Sequence, residues 1–223
     1  MTSENGPERA GEQTTLAQRA VRRRVAGVEE TARSDVRALM DAGLALMIEN
    51  GGRRGPRVAD IVAAAGLSND AFYRYFAGKD ALVDAIVEQG ARTVVSYVRH
   101  RMAAAADPAG QLRAGVAALL KQADADLATK TRAVLNNGTT ASSGARHAQV
   151  ALVDALADLF TPPAAELGTP DPARTARTMA ITAVAALQYH LFSEQPPTAA
   201  DLAHLTAFLL AGTTRTARLR NDP

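Results

Sequence analysis

The sequence predicts an all-α protein, with a three-helix amino-terminal unit followed by a longer helical region. Three observations lead there. Apolar residues recur at helical spacing, most clearly at Val58, Ile61, Val62 and Ala65. Breakers punctuate the chain between such segments, among them Gly51-Gly52, Gly66, Asp107-Pro108, Pro162-Pro163, Pro170 and Pro196-Pro197. No run of alternating β-branched residues lies between turns, so no strand is expected.

Residues 1–13 hold almost no large apolar side chain and are expected to form a disordered tail. From Thr14 to about Glu30 the chain is helix-competent, with Leu16, Val21, Val25 and Val28 loosely spaced around a basic cluster of Arg22, Arg23 and Arg24. A second helix runs from about Ser34 to Glu49, with Val36, Leu39, Met40, Gly43, Leu44 and Met47 as its buried stripe. Asn50, Gly51 and Gly52 end it, and the turn that follows carries Arg53 and Arg54 ahead of Pro56.

The stretch from Arg57 to Leu82 organises the rest. Val58 to Ala65 make a short amphipathic helix, and Gly66 tolerates the left-handed backbone that ends it. Ser68 is a good N-cap for the next helix, where Asp70 meets the positive end of the helix dipole. Phe72 and Phe76, four apart, face inward, which leaves Asn69, Tyr73 and Arg74 outward. Two short helices around a tight glycine turn make a helix-turn-helix.

After Gly78, a long helix opens at Lys79-Asp80 and runs to about Ala105, until Asp107-Pro108. Further helices are expected at about 109–123, 124–136, 145–160, 172–194 and 198–219. The glycine- and serine-rich segment NNGTTASSG, 136–144, reads as a connection between two of them. These breaks suggest a domain over 14–78 and a second over 79–223.

Bulk properties narrow the chemistry. The chain has 223 residues, 47% hydrophobic, few of them aromatic, and a net charge of +2. That length buries a sizeable core. The charge balance is too mild to establish a nucleic-acid partner by itself, although the cations of the first third are arginines apart from Lys79. Arginine suits planar contact with phosphate or guanine. Without cysteine, disulfides, thiolate metal sites and cysteine nucleophiles are excluded. Residues 1–30 lack the apolar core of a signal peptide, and the longest uncharged apolar run, Thr178 to Ser193, is short for a membrane span. A soluble, cytoplasmic protein is expected. His100, His147, His190 and His204 show no metal-ligand spacing, and no serine sits in a nucleophile elbow, so neither a metal, a cofactor nor an enzyme activity is expected.

The stretch AAGLSNDAFYRYFAGKDAL resembles the tetracycline-repressor (TetR) family of bacterial transcriptional regulators. Gly66, Ser68, Tyr73, Phe76 and Lys79 match the family pattern, and Tyr75 stands where the family often has histidine. The similarity covers about Arg33 to Gln89; beyond it the agreement is one of length and helical character. The resemblance implies a DNA-binding domain over 14–78 and an effector-binding and dimerisation domain over 79–223. Tyr73 and Tyr75 look like phosphate contacts through their hydroxyls, and Lys79 adds a cation at a helix N-terminus. Asn69, Asp70 and Ala71 would lie nearest the base edges: asparagine suits adenine, aspartate cytosine, and alanine a thymine methyl. Ser68 and Arg74 belong to the same motif. Arg57 departs from a common threonine, losing a neutral cap and gaining a cation for phosphate. Asp70 has an equal reading as a dipole-stabilising anion. For Arg22, Arg23 and Arg24, a solvated helix face and a DNA-touching arm both fit.

One recognition helix reads too few bases for selectivity, so a homodimer on a palindromic operator is expected. Thr178–Phe192, apolar nearly all round, and the stripe Leu202, Leu205, Phe208 and Leu209 are the interface candidates. A small-molecule effector would sit among the later helices, with Tyr97, Arg101, Asn136, Gln188, Tyr189 and His190 as candidate polar groups; an uncharged to weakly polar ligand is expected. On residues alone two function classes stay open. One is a ligand-responsive DNA-binding repressor. The other is an all-helical ligand carrier or protein-interaction module whose helix-turn-helix is only structural.

Overall fold

A computed structural model describes residues 15–50, 55–141 and 143–218. The expected tail at 1–13 and the arginines at 53 and 54 lie outside the described residues. Among those described, the regular structure is helical throughout. The helices are α1 (Leu16–Glu49), α2 (Val58–Ala65), α3 (Asn69–Tyr75), α4 (Lys79–Ala103), α5 (Pro108–Leu120), α6 (Ala125–Ala141), α7 (Ser143–Glu166), α8 (Pro172–Phe192) and α9 (Ala199–Arg218), with a 3₁₀ turn at Lys121–Ala123.

The first two expected helices are one. Nothing between Glu30 and Ser34 breaks the pattern, and Arg33 pairs with both Glu29 and Glu30 across the expected gap. Thr31 turns its hydroxyl back onto the Gly27 carbonyl, so the junction stays helical. Thr15 starts α1 with a capping box, its hydroxyl accepting from the Gln18 amide while Gln18 accepts from the Thr15 amide.

Two other expectations are corrected. The segment 136–144 is not an extended connection, because α6 runs on to Ala141 and α7 begins at Ser143. Buried Asn137 donates its side-chain amide to the Ala133 carbonyl at 2.8 Å, which keeps it on the helix rather than starting a turn. Pro162 and Pro163 do not end α7 either; the helix continues to Glu166. Neither proline can donate an amide hydrogen to the preceding turn. Packing of Pro163 and Ala164 into the interior holds the segment helical despite that loss.

Two apolar clusters form the core, and α4 serves both. Leu39, Met47, Ile61, Phe72 and Phe76 pack around Leu82, Val83 and Ile86 from the first part of α4, and Ala133 of α6 joins them. Val98 and Met102, further along α4, belong to the larger cluster built by α5, α7, α8 and α9. Where α1 crosses α4, Gly43 lets Leu82 approach so closely that a Cβ would stand 2.9 Å from Leu82 Cδ2. The expected stripe on α9 faces mostly inward. Leu209 is buried and Leu202 and Leu205 pack on the larger cluster, whereas Phe208 is exposed.

Candidate nucleic-acid interface and effector cavity

The helix-turn-helix is assembled as its residues dictate. α2 buries Ile61 and Val62, and Gly66 ends it in the left-handed region at φ 66°. Ser68 then accepts from the Ala71 amide at 3.1 Å, so its hydroxyl oxygen caps α3. Phe72 is fully buried and its ring lies 5.7 Å from that of Phe76. These anchors hold one face of α3 against α1 and α2.

The other face is open. Asn69, Asp70, Tyr73 and Arg74 are exposed, Tyr73 at 59%. The Arg74 guanidinium stands 5.9 Å from the centre of the Tyr75 ring. Arg57 is exposed at the start of α2 and makes no side-chain cap there. Lys79, first residue of α4, is exposed, and its ammonium lies 3.5 Å from where a Gly55 Cβ would stand. Two residues expected at the DNA differ in placement. Ala71 is only 7% exposed and faces the core, where a thymine methyl does not reach. Tyr75 is half-buried and its hydroxyl donates to Asp35 Oδ2 at 3.0 Å. Arg22, Arg23 and Arg24 stand exposed on the first turns of α1.

Between the two clusters lies a cavity of about 510 Å³. Apolar side chains dominate its wall, among them Leu44, Ile86, Val94, Leu135, Leu152 and Leu187. Tyr97 and Gln188, expected there, line it. Arg101 instead is exposed near the end of α4, and Asn136 lies off the wall beside Leu135. Tyr189, one residue past Gln188, is rotated to the outside of α8 and is 67% exposed. His190 lies 2.9 Å from the Gln195 carbonyl through Nδ1, at the end of that helix.

Sequence reasoning missed the remaining polar wall: Gln89, Thr93, Gln122, Thr131, Gln149, and the single charges Asp41 and Lys130. It also missed that α1 reaches the cavity through Met40, Asp41 and Leu44. Met40 and Leu44 carried a signal, since they widen the apolar stripe of α1 beyond what α2 and α3 can cover. Among the described residues no cluster of His, Cys, Asp or Glu suits a metal ion, and no helix is long and apolar enough to cross a membrane.

Residues 39–86, which span α2, α3 and the turn between them, match the model of the bacterial regulatory proteins, tetR family. No curated protein matches the sequence. Solved structures with the same fold include a TetR-family transcriptional regulator from Streptomyces coelicolor, 20% identical over 86% of this chain and 94% of that one, TM-score 0.59. The fatty acid degradation regulator FadR from Bacillus halodurans is 20% identical over 78% and 97%, TM-score 0.60. FadR from Bacillus subtilis, solved in complex with stearoyl-CoA, is 17% identical over 80% and 97%, TM-score 0.58. The family match thus rests on the helix-turn-helix, and the chain folds as these solved structures do.

Proposed function

We propose that this DNA-binding regulator is a ligand-responsive repressor that acts as a homodimer on a palindromic operator in the cytoplasm. The observation that carries the reading is the open face of α3. Asn69, Tyr73 and Arg74 stand exposed on a helix whose other face is locked by Phe72 and Ser68, with the Lys79 cation at the next helix start. Asn69 reads a base edge, Tyr73 and Lys79 clamp phosphates, and Arg57 and Arg74 add cations beside them. Asp70 serves α3 as an N-terminal anion or accepts from a cytosine.

In this reading residues 14–78 bind DNA and residues 79–223 hold the effector and the partner subunit. The outer face of α8 supports dimerisation, because Ile181, Tyr189 and Phe192 are exposed there. Large exposed apolar patches mark interaction sites. The cavity supports an effector: its volume lies in the range of small-molecule sites, about 300–1,000 Å³. A wall of aliphatic side chains, amides and hydroxyls suits an uncharged to weakly polar, moderately hydrophobic molecule, and the stearoyl-CoA held by B. subtilis FadR is a precedent for an apolar chain in this fold. An occupant touches both α1 and α4, so it shifts the helices that aim α3. Ligand and DNA then oppose each other reciprocally.

Binding of the native protein to palindromes from its own promoter, over a salt series, tests this. A dimer should bind one palindrome with steep salt dependence. Absence of binding at micromolar protein and low salt would favour the alternative, a helical ligand carrier or interaction module with a structural helix-turn-helix.

A further inference from the structure

α1 is longer than its packing requires. It spans 34 residues, and every described residue from Leu16 to Thr31 is exposed, so about 24 Å of helix projects beyond the core. Up to Val28 this arm contains Arg19, Arg22, Arg23 and Arg24 and no acid. Glu29 and Glu30, just beyond, are engaged with Arg33. Among the described residues no carboxylate pairs with Arg22, Arg23 or Arg24.

We propose that this helical arm is a second DNA-binding surface, which lies along the phosphate backbone beside the half-site that α3 reads. The inference rests on the DNA-binding reading and adds to it a contact outside the helix-turn-helix. Placement supports it. Asp35, where the arm joins the core, is bonded to Tyr75, the last residue of α3, so the arm leaves the domain next to the recognition helix. Charge decides against the other occupant, a second copy of the arm. Val21, Val25 and Val28 form an exposed stripe that leads through Ala32 into the packed stripe of Val36, Leu39 and Gly43 at steps of three and four. Arg22 and Arg24 flank it on either side. A second arm laid on the stripe would set arginine against arginine, with no acid in the stretch to relieve them. A polyanion meets the same helix without conflict.

The test compares the full chain with Arg22→Ala/Arg23→Ala/Arg24→Ala and with the corresponding triple lysine variant. Each is titrated onto promoter DNA and onto a random duplex of equal length, at several salt concentrations. Every phosphate that the arm no longer neutralises should flatten the slope of log K against log salt by about 0.9. The alanine variant should therefore show a slope shallower by about two to three per protomer, equally on both duplexes, with helix content unchanged by circular dichroism. The lysine variant should keep the native slope, because the arm meets phosphate rather than bases. An unchanged slope in a folded alanine variant would overturn the proposal while leaving the helix-turn-helix reading intact. Failure of the native chain to bind any duplex would overturn both. A fall in oligomer mass with Val21→Ser/Val25→Ser, without any change of slope in the arginine variant, would show that a second copy covers the arm and would also overturn it.

Discussion

The Tyr75 hydroxyl donates to the Asp35 carboxylate at 3.0 Å, joining the end of α3 to the middle of α1 across 40 residues of sequence. Asp35 marks the point where α1 changes from a free rod to a packed helix, since residues 16–31 are exposed and Leu39 is fully buried. The bond thus ties α3 to the helix that also walls the cavity. Tyr75→Phe removes the donor and leaves a half-buried carboxylate short of a partner. A loss of about 1–3 kcal/mol is expected, read as a lower denaturation midpoint. The salt dependence of DNA binding should not change. A flattened slope with native stability would instead assign the hydroxyl to a phosphate.

Gly115 and Gly27 make a pair of opposite sign. A Cβ at Gly115, on α5, would stand 2.8 Å from Phe160 Cε1 and 3.0 Å from Met102 Sδ, and Phe160 is fully buried. Gly115→Ala should cost about 1–3 kcal/mol of overpacking, partly offset by the better helix propensity of alanine. At Gly27, on the exposed part of α1, nothing lies within 4 Å of such a Cβ. Gly27→Ala should stabilise by about 0.5–1 kcal/mol in helix propensity. Thermal unfolding of the two variants checks both signs at once.

Local signals were legible in the sequence where the cause was local. Gly66 needed a left-handed backbone and has one; Ser68 needed an amide to accept and has that of Ala71. The inward phenylalanines followed from spacing. What failed depended on tertiary context. Pro162-Pro163 argues for a break, yet interior packing of Pro163 and Ala164 keeps α7 helical. The continuity of α1 is a local exception: no breaker lies between Glu30 and Ser34, and Arg33 pairs with Glu29 and Glu30 across the expected gap. Ala71 faces the core rather than DNA because one helical step turns a side chain by about 100°, and a boundary set by the cap alone does not fix which small residue lies beneath. The cavity was half legible. Tyr97 and Gln188 stood out as polar groups in apolar helices, but the contribution of Met40, Asp41 and Leu44 requires knowing that α1 passes α4 and α6.

Filling the cavity should separate its two roles. Val94 lines the wall and packs on the larger cluster. Val94→Phe should occupy ligand space and at least halve the thermal shift produced by any hit from a ligand screen. DNA affinity without ligand should stay within about twofold, since α3 is untouched; ΔΔG of that size is about 0.4 kcal/mol. Full ligand response in this variant would move the effector site elsewhere.

The exposed face of α8 yields the dimer prediction. Ile181→Glu/Phe192→Glu places two charges on a surface that the monomer leaves open, so folding should survive. Light scattering at micromolar concentration should give a dimer for the native chain and a monomer for the variant. A native monomer, or a variant that stays dimeric, would exclude this face.

In the proposed function the open face of α3 reads DNA. Its most direct test is the affinity of native protein and of Asn69→Ala/Tyr73→Phe for one duplex selected by the native protein, at fixed salt. Both side chains are exposed, Tyr73 at 59%, so the double variant should keep its native melting temperature. Removing a base interaction worth about 1–3 kcal/mol together with one phosphate hydrogen bond should weaken binding by about tenfold or more. Equal affinity of the folded variant and the native protein for that duplex would show that α3 does not read DNA.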